Sequence, residues 1–152
     1  IKVEQERALD VIEVRKCMEA WTAYYAAQRA LPDDVRKLEG IVWNMEANLN
    51  GLKPSEDLDA NFHIVIARST HNVVWLHLMQ TIFEAMKEFQ RSVWRAVYLT
   101  EEDHRTLFAH HKAIFEAIRD KDCERARNAM LGHLTFAEKR SSIYVNQSRQ
   151  DR

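Results

Sequence analysis

Apolar residues recur every three or four positions along almost the whole chain. The clearest run is Trp75, Met79, Ile82, Met86, Phe89 and Val93, which steps by fours and threes without a break. That spacing lines one face of an α-helix; a half-buried strand would need strict alternation. Punctuation is scarce, with three Gly and two Pro in 152 residues. Sheets and their hairpins consume such residues at their turns, so the chain reads as all-α.

Six helices are predicted. The first covers Gln5 to Arg29, with Val11, Val14, Met18, Trp21 and Tyr25 as its inward stripe, and Leu31-Pro32 breaks it. Asp33 or Asp34 caps the second, which stops at Gly51. Pro54-Ser55 opens the third, ending near Ser69, and Asn72 caps a long fourth to Leu99. Thr100 and Asp103 have the spacing of a capping box for the fifth. Asp122 caps the sixth, which runs to about Asn146 and leaves Gln147 to Arg152 as a frayed tail. Short loops between long helices imply an antiparallel bundle of six to seven helices, folded as one domain over residues 1–146.

The bulk numbers exclude several classes of function. A net charge of -1 without a basic patch argues against a nucleic-acid surface on this chain. No apolar run approaches the roughly 18 residues of a membrane span. Cys17 and Cys123 stand apart, with no paired spacing, and fit a reducing, cytoplasmic setting. The chain opens at Ile1 and enters helical pattern almost at once, as expected of a processed or truncated product.

Three stripes contain residues that do not belong in a plain core. The third helix carries Asp59, Phe62, His63 and Ile66 on one side. The fifth carries His104, Leu107, His111, Ile114 and Ile118, and the sixth carries Ala126, Met130, His133 and Ala137. Burying an ionisable group without a partner costs on the order of several kcal/mol. A lone histidine on such a stripe is usually a core residue bonded to a carbonyl, and Asp59 with His63 could be a simple helical pair. Together, one carboxylate and three imidazoles also form a donor set for a divalent transition ion. His104, in the first turn of its helix, is the reserve ligand. His71, His77 and His110 are expected to face solvent.

The same segments resemble a known family. "VIEVRKCMEAWTAYYAAQRA", "DANFHIVIARSTHN" and "HHKAIFEAIRDKDCERARNAMLGHL" are similar, in order and spacing, to the C-terminal effector-binding (FCD) domain of FadR-like regulators in the GntR superfamily. His63 and His111 lie 48 residues apart, and His111 and His133 lie 22 apart. The resemblance covers about Leu9 to Lys139. It implies a metal held by Asp59, His63, His111 and His133, with zinc first and nickel, manganese or iron also admissible. It further implies a small organic carboxylate as effector, contacted by Arg15 and Asn72, and a homodimer. Operator DNA would be bound only through a winged helix-turn-helix that is absent from this chain. One departure is His110, where the family usually has an acidic residue.

Arg15 could equally be an exposed helix charge, and Asn72 is a helix cap first. The rival reading is a mononuclear metalloenzyme on the same ligands. It would need a general base beside the metal, and the inner stripes show no acid besides Asp59. A di-iron bundle would need two Glu-x-x-His motifs, and only Glu101 with His104 fits. The third class is a structural or dimerising bundle without any ligand.

Overall fold

The computed structural model describes the backbone of residues 2–50, 56–97 and 100–150, and the side chains of 9–49, 56–86 and 100–143. The described residues form six helices: α1 (Lys2–Arg29), α2 (Pro32–Asn50), α3 (Glu56–Ser69), α4 (Val73–Val97), α5 (Glu101–Arg119) and α6 (Cys123–Gln150). The fold is all-α, as expected. No helix among the described residues is long and apolar enough to cross a membrane.

Side-chain bridges give the directions of the helices. Lys16 reaches Glu138 at 2.7 Å, Arg127 covers the Trp21 ring and Lys121 bonds the carbonyl of Ala30, so α6 descends as α1 ascends. Arg15 stands against Phe83, while Thr22 and Tyr25 meet Trp75, so α4 also runs against α1. Arg29 reaches the Thr70 carbonyl at 3.3 Å and Glu19 meets His63, so α3 runs with α1. Arg140 on Asp103 sets α5 against α6.

Local signals end most of these helices where the sequence suggests. The Asn72 side chain accepts from the backbone N–H groups of Val74 and Trp75. Thr100 and Asp103 form a complete capping box, and Asp122 accepts from the N–H of Arg125 at 3.0 Å. The α5–α6 turn closes with Asp122 N–H on the Ala117 carbonyl and Lys121 N–H on that of Ile118. It holds Lys121 at φ 60, the left-handed position that ends many helices.

Three boundaries differ from expectation. Neither Asp33 nor Asp34 is the N-cap of α2: Pro32 takes the first helical position, where its missing N–H costs nothing. Asp34 then reaches back to the N–H of Leu31 at 2.9 Å. α1 begins three residues earlier than Gln5, and α6 runs on to Gln150, past Asn146. Gly51 and Pro54-Ser55 lie outside the described residues, as do the side chains of Phe89 and Val93.

The inward face of α1 is the larger correction. Val14 is 49% exposed and Trp21 43%, whereas Arg15 is 6% exposed and Glu19 1%. The buried face is instead Ile12, Arg15, Glu19, Ala23, Ala26, Ala27 and Ala30. Past Glu19 it is alanine apart from Thr22, and such small residues let α1 sit close against its neighbours. Leu38, Phe62, Ile66, Ile114, Ile118, Met130 and Leu134 fill the core from the other helices. The polar layer at Glu19, His63, His111 and His133 borders this apolar cluster.

Candidate metal centre

Each histidine of the centre arrives on a helix with apolar inward residues on both sides of it. Phe62 and Ile66 anchor α3 on either side of His63, Leu107 and Ile114 flank His111 on α5, and Met130 and Ala137 flank His133 on α6. Helical spacing then leaves the ionisable side chains no route to solvent. Asp59, His63, His111 and His133 are all buried, and one donor atom from each lies within 4.8 Å of the others.

The contacts inside the cluster are specific. His111 Nε2 sits 3.0 Å from Asp59 Oδ1, and His63 Nε2 lies 4.0 Å from the same oxygen. The His133 ring is 4.6 Å from that of His111 and 5.2 Å from that of His63, centre to centre. Phe83 stacks on His63, and Phe62 meets His111 edge-on at 4.9 Å. Aromatic rings therefore wall the histidines in.

Electrostatics push Asp59, His111 and His133 toward their metal-ligating forms. Burial alone would raise the Asp59 carboxyl. The hydrogen bond from His111 and the surrounding imidazoles outweigh it and hold Asp59 well below the usual carboxylate range. Burial pushes His111 below 6.5, opposed in part by Asp59, and pushes His133 well below 6.5. An anionic oxygen next to imidazoles kept neutral is the protonation state a metal requires.

The donor set fits a divalent transition ion. Donors held about 2.1 Å from such an ion sit about 3–4 Å from one another, so the observed cluster needs only a small contraction. His133 Nδ1 is buried and has no hydrogen-bond partner among the described residues, a cost that few native structures tolerate. Nitrogen and oxygen donors without thiolate admit zinc, nickel, manganese or iron.

A fifth residue belongs to the site and has no counterpart in the sequence reading. Glu19 is buried on α1, its Oε2 against His63 Nδ1 and its Oε1 accepting from Arg15 Nε at 2.5 Å. Burial would raise its pKa, but Arg15 and His63 hold the carboxyl below its ordinary value. The statement that Asp59 is the sole inward acid is thus corrected. The usable signal was Arg15 and Glu19, oppositely charged and four apart, in phase with Ile12, Ala23 and Ala26.

The other candidates fall in different places. Arg15 is not an exposed charge: its guanidinium lies 5.0 Å from the Phe83 ring centre. Asn72 is the α4 cap, in the turn beyond the C-terminal end of α3. His104 is half-buried and outside the donor cluster. His77 is exposed as expected. His71 is also exposed, yet its Nε2 bonds Asp34 at 2.8 Å. His110 is only half-exposed: it packs edge-on against Phe136 at 5.3 Å and His133 at 5.9 Å.

Residues 10–136 match the family model described as FCD domain. The chain belongs to the FCD domain family. This FCD domain is 33% identical over 139 residues to a protein of Escherichia coli (strain K12) provisionally named the L-lactate dehydrogenase operon regulatory protein, covering 88% of this chain and 51% of that protein. It is 31% identical over 130 residues to the galactonate operon transcriptional repressor of the same organism, covering 84% and 55%. The HTH-type transcriptional regulator LutR of Bacillus subtilis (strain 168) is 26% identical over 152 residues, covering 97% and 68%. The domain spans about half the length of the first two relatives. Among solved structures, Streptococcus agalactiae GntR superposes with a TM-score of 0.73 at 24% identity, covering 86% of this chain and 57% of that one, which shows a shared fold. The named relatives are regulators, not enzymes.

Proposed function

We propose that this FCD domain is the sensing unit of a transcription regulator, and that it binds a divalent transition ion and a small organic carboxylate at the same centre. The observation that carries the reading is the convergence of one buried carboxylate and three buried imidazoles within 4.8 Å. Asp59, His63, His111 and His133 would hold the ion, with zinc the first choice. A bound ion would supply Lewis-acid attraction for an anionic oxygen at positions the protein leaves open.

Arg15 would position the acid. It sits beside the centre through Glu19, and a planar guanidinium matches a carboxylate better than an ammonium would. The names of two relatives point to the operons of hydroxy acids, lactate and galactonate, which fits this class of ligand. Asn72 is left out of the ligand contacts because its side chain caps α4.

Regulation would work by population shift. An acid held between helices favours one bundle geometry, and α1 would carry that bias toward a winged helix-turn-helix outside this chain. Effector and operator affinity in the whole regulator are then linked reciprocally. A homodimer and a cytoplasmic setting complete the reading. A metalloenzyme is disfavoured, because the second buried acid is engaged by Arg15 and His63 and does not stand ready as a base.

Elemental analysis of purified protein tests the metal, with one ion per chain expected. His111→Ala and His133→Ala should each lose most of it, and full occupancy in both variants would refute the ligand assignment. Calorimetry with lactate, gluconate, sugar acids and dicarboxylates tests the effector. Binding should require metal and weaken in Arg15→Ala. Turnover of any of these acids would replace the sensor by an enzyme.

A further inference from the structure

The proposed ligands account for four of the five carboxylate and imidazole side chains that meet in the polar layer. Glu19 cannot be a fifth ligand by default, because both of its oxygens are already used. Oε1 accepts from Arg15 Nε at 2.5 Å, and Oε2 faces His63 Nδ1. A carboxylate accepts and does not donate, so the proton of the His63 ring belongs on Nδ1. The lone pair then remains on Nε2, which is the nitrogen turned toward Asp59 Oδ1 at 4.0 Å and hence toward the donor cluster.

The two nitrogens of one ring thus serve opposite sides. One meets a carboxylate outside the centre, and the other faces into it. This is the arrangement by which outer carboxylates orient ligating histidines and raise their basicity. Phe83, stacked on the same ring, removes the remaining freedom to rotate.

We propose that Glu19 is the positioning residue of the centre: it sets the tautomer and angle of His63, and it ties that ring to Arg15. The proposal rests on the metal reading above and deepens it. It assigns α1 a direct hold on a ligand contributed by α3. It also explains why an acid and a base lie buried on α1 while Val14 and Trp21 are turned outward. An ion pair that served packing alone would have no reason to meet the outward nitrogen of a cluster histidine.

The test uses zinc alone. Zinc affinity is measured by chelator competition for the unsubstituted protein, for Glu19→Gln, and for the double variant Arg15→Met with Glu19→Gln, which removes both charges of the buried pair. Nitrogen NMR reads the His63 tautomer in the unsubstituted protein, with and without zinc. The expected result is Nδ1–H on His63 in both forms, zinc on Nε2, and affinity about 10–100-fold weaker in both variants. Unchanged affinity in the folded variants would overturn the proposal, even if their melting temperatures fall, because that is what a merely structural role would produce. His63 protonated on Nε2 would overturn it without any variant. If the unsubstituted protein binds no zinc or other divalent ion, the metal reading itself fails and takes this inference with it.

Discussion

α1 and α5 both cross the polar layer, yet they bury different kinds of face. On α5 the apolar stripe and the buried face coincide: Leu107, His111, Ile114 and Ile118 are all inside. On α1 they diverge, because Arg15 and Glu19 are inside while Val14 and Trp21 are largely out. The difference shows what decides which side of a helix is buried. α5 contributes bulk to the core and follows hydrophobicity. α1 contributes close approach and charge, through alanines at one end and the Arg15–Glu19 pair at the level of the histidines. A large apolar side chain would not fit where alanine packs. It can remain at the surface because scattered exposed hydrophobics are ordinary.

The sharpest way to break this comparison is to remove the charge that α1 buries. Glu19→Ala should destabilise the protein by about 3–5 kcal/mol, since it breaks a buried ion pair and removes the carboxylate that both Arg15 and His63 meet. Chemical denaturation checks it, and a loss comparable to that of a surface substitution would mean that the α1 face is wrongly assigned. Metal removal comes next. An ion bound to the native state alone stabilises it by about 2.7 kcal/mol at a hundredfold excess over its Kd, so chelator should lower the Tm by several degrees without dissolving the helices. A Tm indifferent to chelator would set both helices back to a plain core.

Acid should separate the two helices further. In the metal-free protein, burial holds His111 on α5 and His133 on α6 below their ordinary value of 6.5. The unfolded chain therefore takes up protons that the folded chain refuses, and stability falls as pH drops below 6.5. Each group costs up to about 1.4 kcal/mol per pH unit until its folded pKa is reached. Asp59 acts at lower pH: its depressed pKa stabilises the fold above 3.8, and that share is lost as pH falls further. Denaturant midpoints between pH 7 and 5 would show the histidine slope, and a flat profile would place the histidines in solvent. The smallest effect belongs to the outward face of α1. Val14→Ser should change stability by no more than about 0.5 kcal/mol by the same measurement.

Much of the molecule was legible because its determinants are local. The caps at Asn72, Thr100 and Asp122 bond to amides two or three residues away, so short-range spacing reveals them. Asp59, His63, His111 and His133 were legible for a related reason. Each interrupts an apolar stripe on its own helix, and an ionisable group in such a stripe must be satisfied by something. The start of α2 at Pro32 was obscured by two acidic residues that also suit a cap. His110 was read by phase alone, and only the approach of Phe136 from α6 shows that its side of α5 is covered.

By itself, the sequence determined that this chain is a helical bundle, where most of its helices end, and which four residues could converge as metal donors. Those properties follow from 3.6-residue periodicity, from side chains that bond nearby backbone, and from the high cost of burying charge alone. Only the tertiary structure decided which face of α1 turns inward and that Glu19 links Arg15 to His63. Those outcomes depend on how closely one helix approaches another and on whether a buried charge meets its partner across the gap. Neither quantity is carried by the spacing of residues along a single helix.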